Sequence, residues 1–439
     1  MTAGMTDWDD VAINTFGEIV GGGTPSRATP SFWNGTIPWV TPGEIKALPG
    51  KYVQDTQERI TRDGLAGSAA KLLPVGSVVV TTRATLGEAA IAAVPLTTNQ
   101  GFKSIIPNED TDSLFAYYRI QMLKPEMVRL ASGTTFLEIS KADFSRIRTH
   151  RPKRTEQIRI ANLLDVVDQA IAKTGAVIAK LRQVRAGLLH DLLARGLDTN
   201  GQLRDPVDHP GQFRESPLGR IPQGWRVCGV LDVAPPDRQA ILTGPFGAQL
   251  GHRDFVSDGI PVLRIGNVQS GFIDWSDTQF VSPSKAIELR RFTVTTGDLL
   301  FARQGATTGR NALADKRADG ALINYHIIRV ATDRTRCEPV FLQALFNTES
   351  AVRQINRDKG RGTREGINTA QISDLRFALP SIEEQRLAVA ALSQHDGQEN
   401  SEKATLEKLH AVKAGLMSDL LTGRVRVPEV QHRSKPLDP

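Results

Sequence analysis

Glu156-Gln-Ile-Arg-Ile160-Ala-Asn-Leu-Leu164-Asp-Val-Val167 opens a run that closes at Leu188-Leu-His-Asp191-Leu-Leu193, and both ends of that run occur twice. Glu156-Gln157 returns as Glu384-Gln385. Leu188-x-x-Asp191-Leu192-Leu193 returns as Leu416-x-x-Asp419-Leu420-Leu421. Both matches lie 228 positions apart, so the segment between them is repeated without a gap. In the first copy the side chains at 4-3 spacing are Ile160, Leu164, Val167, Ile171, Thr174, Ile178, Leu181, Arg185, Leu188 and Leu192, and eight of these ten are apolar. That period draws one apolar seam along a helix and argues for a coiled coil rather than a generic surface helix. Pro152 and Pro380 stand where the helical patterns begin, and Ser381 with Glu384 forms a capping box. Glu156 sits in the first turn, favourable toward the helix dipole. About 40 residues at ~1.5 Å each give a rod of roughly 60 Å.

The second copy, in the same register, reads Ala388, Leu392, His395, Glu399, Glu402, Leu406, Leu409, Lys413, Leu416 and Leu420. Its ends are apolar. Its middle is polar and contains Gly397, which predicts central turns that fray, kink or face another subunit. Each helix has the other as its obvious partner. Antiparallel packing then closes the tandem repeat into a pseudo-twofold object.

The repeat extends outward from the helices. Ile37-Pro-Trp-Val-Thr-Pro-Gly43-Glu-Ile aligns with Ile260-Pro-Val-Leu-Arg-Ile-Gly266-Asn-Val. Gly76-Ser-Val-Val-Val80 aligns with Gly297-Asp-Leu-Leu-Phe301, and Thr81-Thr82-Arg83-Ala84 then faces Arg303-Gln304-Gly305-Ala306. Asn99 matches Asn324, Phe115 matches Phe341, and Trp8 and Trp225 open the two copies. The offset drifts here, as it does where loops vary on a fixed scaffold. Val78–Val80 and Leu299–Phe301 read as buried strands, and 112–130 and 339–356 as helices. The fold class is α+β, with two globular domains (1–152 and 225–380) separated by two long helices (153–196 and 381–423). The turn-rich stretch 197–224 is a linker, and 424–439 a tail.

A chain of 439 residues is too long for one core. A net charge of +6 and a pI of about 9.3 are compatible with nucleic acid without requiring it. Cys228 and Cys337 are the two cysteines, and they suit neither a disulfide scaffold nor a zinc knuckle. The acidic start lacks the apolar core of a signal peptide, and no apolar run reaches membrane-spanning length. The expected compartment is the cytoplasm.

Catalytic motifs are sparse. Glu44-Ile-Lys46 has the form of the tail of a nuclease metal site, but the second copy has Asn267-Val-Gln269 there, which cannot hold a metal. No phosphate-binding GxxxxGK[ST] loop, zinc-protease histidine pair or nucleophile elbow occurs. The chain does carry basic, glycine-flexed loops. Arg353, Arg357, Lys359, Arg361 and Arg364 crowd one segment, where they would neutralise phosphates and release counterions. Arg303-Gln304 and Arg310-Asn311 bracket a glycine turn after a strand, and Thr81-Thr82-Arg83 holds that place in the first copy. With Arg264, these are residue types that read base edges. The candidate DNA contacts are therefore Thr81, Thr82, Arg83, Arg264, Arg303, Gln304, Arg310, Asn311, Arg357, Lys359, Arg361 and Arg364.

At this point the chain resembles the specificity subunit of type I restriction–modification enzymes over nearly its whole length. The resemblance rests on Gly201-Gln-Leu-Arg-Asp-Pro206 through Ser216-Pro-Leu-Gly-Arg-Ile-Pro-x-Gly-Trp225, on the two Glu-Gln helix starts, and on Leu416-Met-x-Asp-Leu-Leu-Thr-Gly423. It implies two target-recognition domains, each reading half of a split double-stranded DNA site, and two helical regions that act as spacer and docking platform. It also implies two DNA-methyltransferase subunits and restriction/translocase subunits as partners, which carry out adenine methylation and cleavage. S-adenosylmethionine, ATP and Mg²⁺ would belong to those partners, with no cofactor and no catalytic residue on this chain. A stand-alone nuclease using Glu44 and Lys46, and a protein-binding scaffold without a DNA role, are the alternative readings.

Overall fold

The computed structural model describes residues 8–133, 137–304, 308–356 and 366–427. They form two compact units. One holds the described residues up to 176 and from 403 onward, and the other holds those within 177–402. The units do not coincide with the segments read along the sequence, because each globular part packs against halves of both long helices, Arg154–Ala194 and Ile382–Leu420.

In the first unit the three valines Val78–Val80 are wholly buried. Alternation along a strand sends Val78 and Val80 to one face and Val79 to the other. Val78 and Val80 pack in the cluster that holds Phe115, Tyr118, Ile160 and Leu164, whereas Val79 packs with Val40, Val53 and Phe102. Burial on both faces explains why the run is apolar throughout. It lies inside a five-stranded sheet of order Gly17–Gly21, Lys103–Pro107, Val78–Val80, Ala89–Ala92, Tyr52–Val53. Trp33–Val40 sits between Glu58–Ile60 and Thr97–Thr98 in a second sheet, and Asp9–Ala12 pairs with Arg148–Arg151.

The second unit repeats the plan. Ile241–Thr243, Ile327–Val330, Leu299–Ala302 and Asn311–Leu313 form one sheet in that order. Leu299 and Phe301 face one cluster, and Leu300 and Ala302 the other. Phe255–Val256, Gln279–Val281, Ile260–Leu263 and Leu322–Ile323 form the second sheet, and Arg226–Gly229 pairs with Arg376–Leu379. Each single helix expected after the core strands is a pair: Ser113–Met122 with Lys124–Leu130, and Pro339–Phe346 with Glu349–Asn356. Pro125 stands in the first turn of the second of the first pair, where its missing N–H costs nothing. The segment 197–224 is more than a linker. It carries the hairpin Phe213–Arg214/Ile221–Pro222, buries Phe213 and Ile221, and binds Glu384 through Arg204 at 2.6 Å.

The long helices run antiparallel within each unit. In the first unit Glu156 accepts from Arg426 at 2.7 Å and Asp168 pairs with Lys413 at 2.7 Å. In the second, Arg182 reaches Glu399 at 2.8 Å, Arg185 reaches Asp396, and Arg204 reaches Glu384. Every 4-3 seam position is buried or half-buried in both helices, from Ile160 through Val167, Ile171, Ile178, Leu181 and Leu188 to Leu192, and from Ala388 through Leu392, Leu406, Leu409 and Leu416 to Leu420. The polar middle of the second helix neither frays nor breaks, and the helix continues through Gly397. Charge complementarity from Arg182 and Arg185 takes the place of apolar seam contacts there. Among the described residues no helix is long and apolar enough to cross a membrane.

Candidate nucleic-acid interface

The loops that carry the candidate residues gather at the ends of the core strands in each unit. In the first unit the strand Val78–Val80 runs into a turn that returns as Ala89–Ala92, with Val80 opposite Ala89. Ala84, at the tip, has φ +62°, and Asn34 is the other described non-glycine residue with positive φ. For an L side chain that conformation costs roughly 1–2 kcal/mol. The turn is held by its neighbours: the Ala84 N–H donates to Leu137 O at 3.1 Å and the Ile139 N–H to Thr82 O at 3.0 Å.

The second unit has the same arrangement with one more residue in the turn. Phe301 lies opposite Asn311, and the Ile367 N–H donates to Arg303 O at 2.7 Å. These backbone partners correct the sequence alignment by one position. Arg303 is the counterpart of Thr82, and Gln304 is the counterpart of Arg83. Arg83 bridges to Glu138, and Gln304 bridges to Gly366, at the two equivalent places. Sequence comparison missed the shift because the extra residue falls in a turn without an apolar pattern.

Burial then sorts the candidates. Thr81 and Thr82 are buried, and their hydroxyls bond to Thr85 O and Gly101 O, so they shape the turn rather than face a ligand. Asn311 is buried and exchanges hydrogen bonds with Asn347 at 2.9 Å and 3.2 Å. Arg264 pairs with Asp277 at 2.6 Å and lines a cleft of about 370 Å³ with Asn267, Asn324 and His326. Arg83 is exposed, beside Glu138 at 3.7 Å. Arg310 is exposed and donates to Gln269 Oε1 at 3.0 Å. Burial pushes the Arg303 guanidinium down, and it donates to Tyr325 O at 3.3 Å. Gln304 Oε1 lies 2.8 Å from His326 Nδ1. Arg357, Lys359, Arg361 and Arg364 lie outside the described residues. Their run ends just before Gly366, which pairs with Gln304.

Two further positions belong to these tips. Gly22 lies against Thr98 and Asn99, and Gly244 lies against Ile323 and Asn324, so closely that a Cβ on either would clash with backbone. The residues that follow these contacts meet in both units. Thr24 bonds to Gln100 in the first, and the Phe246 and Tyr325 rings sit 5.8 Å apart in the second. The repeated Asn99 and Asn324 were the available signal for them.

Glu44 has a structural role. Its carboxylate accepts the Thr41 N–H at 2.8 Å and the Gln57 N–H at 2.8 Å, capping the helix Pro42–Ala47. Asn267 accepts the Arg264 N–H at 2.8 Å in the same way. The shared task of the two positions is therefore capping, and a capping amide and a capping carboxylate are interchangeable where metal ligands are not. Among the described residues, no three His, Cys, Asp or Glu side chains gather to hold a metal. The nuclease reading loses its basis.

A family model described as a type I restriction modification DNA specificity domain matches residues 5–183 and 256–411. The MjaIX type I restriction enzyme specificity subunit of Methanocaldococcus jannaschii is 34% identical over 269 residues, covering 60% of this chain and 59% of that subunit. The MjaVIII specificity subunit of the same organism is 22% identical over 425 residues, 96% of this chain and 93% of that subunit. The EcoR124I/EcoR124II specificity subunit of Escherichia coli is 31% identical over 169 residues, 36% of this chain and 41% of that subunit. The solved S subunit of a type I restriction–modification system from M. genitalium superposes with a TM-score of 0.54 at 15% identity, covering 94% of this chain and 96% of that one. A chain solved in work on complex assembly and conformational transition of the type I R-M system gives 0.60 at 16% identity, covering 96% and 99%. At these identities the structural likeness speaks for the fold. The family model spans well over half of the sequence, and the chain belongs to the type I restriction–modification DNA specificity family.

Proposed function

We propose that this chain is the non-catalytic DNA-recognition subunit of a type I restriction–modification complex and reads a bipartite, asymmetric duplex site. The observation that carries the reading is the pair of equivalent tips with unlike side chains. Arg83 and Gln304 occupy one backbone position in two copies of one scaffold. An exposed arginine pairs bidentately with guanine, whereas a glutamine prefers adenine. Two copies of one loop frame with different chemistry read two different half-sites. Arg310, exposed at the second tip, and the cations that the sequence gathers between Arg353 and Arg364 supply phosphate contacts, which set register without sequence information.

The partners are two DNA-methyltransferase subunits and restriction/translocase subunits, and the S-adenosylmethionine, ATP and Mg²⁺ that methylation and cleavage need reside with them. Expression with its methyltransferase subunits, followed by methylation sequencing of the host DNA, tests the reading. A split motif with unlike halves is expected, and a single continuous or palindromic motif would overturn it. The chain alone with DNA and Mg²⁺ should cleave nothing.

A further inference from the structure

The geometry points to Phe246, backed by Tyr325, as the residue that reads a thymine in one half-site by apolar contact with its 5-methyl group. The inference rests on the DNA-recognition reading and adds to it the kind of base pair read and the side chain that reads it.

Four observations converge. Phe246 is 58% exposed and Tyr325 38% exposed, though large aromatic side chains are ordinarily drawn inward. They are not loose. Tyr325 lies against His326 with ring centroids 3.7 Å apart and the planes tilted by 38°, His326 is bonded to Gln304, and Arg303 holds the Tyr325 carbonyl. An aromatic side chain has few rotatable bonds, and Phe246, resting on the anchored Tyr325, loses little conformational freedom on meeting a ligand. Its location is also specific. Phe246 and Tyr325 follow Gly244 and Asn324 at the tip that also presents Gln304, the counterpart of Arg83. In the other copy the same two positions are Thr24 and Gln100, joined by a hydrogen bond. One backbone site therefore carries a polar pair in one unit and an aromatic pair in the other. Among base edges in the major groove, only thymine offers a methyl group, and apolar side chains are its usual readers.

The test uses the full chain assembled with its methyltransferase subunits, and duplexes carrying the methylated motif. Each thymine of the half-site in turn is replaced by deoxyuridine, which removes only the methyl group. At one position the wild-type complex should bind roughly four-fold more weakly, the order expected for one buried carbon. The Phe246→Ala complex should bind the thymine and uracil duplexes alike, while its dependence on the other half-site stays unchanged. Phe246→Leu should restore part of the discrimination. Because Phe246 is exposed, the variants should keep the wild-type circular dichroism. If every thymine tolerates the exchange, if neither half-site contains a thymine, or if Phe246→Ala keeps the discrimination, the inference fails while the split-site reading stands. Absence of any sequence-specific binding would instead overturn that reading.

Discussion

Gln157 and Gln385 do the same work at the starts of the two long helices. Each is wholly buried. Gln157 donates to Pro152 O at 2.8 Å and Asp110 O at 2.9 Å, and accepts the Asp112 N–H at 2.9 Å. Gln385 donates to Pro380 O at 3.0 Å and Arg336 O at 3.2 Å, and accepts the Glu338 N–H at 2.9 Å. One amide in each unit ties the long helix to the loop that starts the core helix. Replacing either by Leu keeps the volume and strands three backbone groups. At about 1–3 kcal/mol for a buried unpaired group, we expect a loss near 3 kcal/mol from each, read from urea unfolding. A loss below about 1 kcal/mol would show that water replaces the amide.

The glycines that end the helices differ in their surroundings. Gly196 has φ +62°, and a Cβ there would lie 2.1 Å from Glu384 Oε1 and 2.5 Å from Trp225. Gly423 has φ +73° and would meet Trp8 at 3.3 Å. Gly423→Ala should cost chiefly the left-handed backbone term, roughly 1–2 kcal/mol, with a tight contact that a few tenths of an ångström of Trp8 movement relieves. Gly196→Ala should cost clearly more and also loosen the Arg204–Glu384 pair. Thermal melts of the two variants, compared under one buffer, check the order.

Asp168 joins four elements of the first unit. It accepts from Lys51 at 2.8 Å, Lys413 at 2.7 Å and Tyr118 Oη at 2.6 Å. Burial pushes its carboxyl up, but these hydrogen bonds outweigh burial and hold it below the usual carboxylate range. A depressed folded-state pKa gives stability that is whole above the unfolded value near ~3.9 and drains as pH falls through the lower folded value. Asp168→Asn should therefore destabilise by about 2 kcal/mol at neutral pH. The gap to wild type should shrink below pH ~4. A gap that persists unchanged in acid would mean that packing, not charge, is lost.

Arg83 and Gln304 should act on separate half-sites. Arg83→Ala should relax one half of the methylated motif and weaken binding about ten- to a hundred-fold, the range for one bidentate base contact. Gln304→Ala should relax the other half only. Methylation sequencing of hosts carrying each variant distinguishes these outcomes, and loss of both halves from one substitution would refute separate reading.

Deleting one heptad within 171–178 of the first helix should change the length of the unread gap and leave both half-sites as they are. An unaltered gap would show that this helix is not the spacer.

Much of the scaffold could be read directly. The 4-3 spacing from Ile160 to Leu192 gave a single helix, and Val78–Val80 and Leu299–Phe301 gave the central strands, because long apolar periods survive in any context. The tips were less legible. Thr81, Thr82 and Asn311 have the chemistry of base readers but are buried, and whether a polar side chain turns in or out is decided by neighbours far along the chain. Phe246 and Tyr325 carried no signal of their own beyond the repeated Asn99 and Asn324 nearby, since an exposed aromatic looks like a core residue until its neighbours are placed.

By itself, the amino-acid sequence determined that this protein is a tandem repeat with two long helices and two α+β halves, because repetition and hydrophobic period are local properties of a chain. Only the tertiary structure decided which residues share a compact unit, that Arg182 and Arg185 sustain the polar middle of the second helix, and that Arg83 matches Gln304 rather than its aligned neighbour. Each of those depends on contacts between distant segments, where ladder register and burial, not residue type, select the partner.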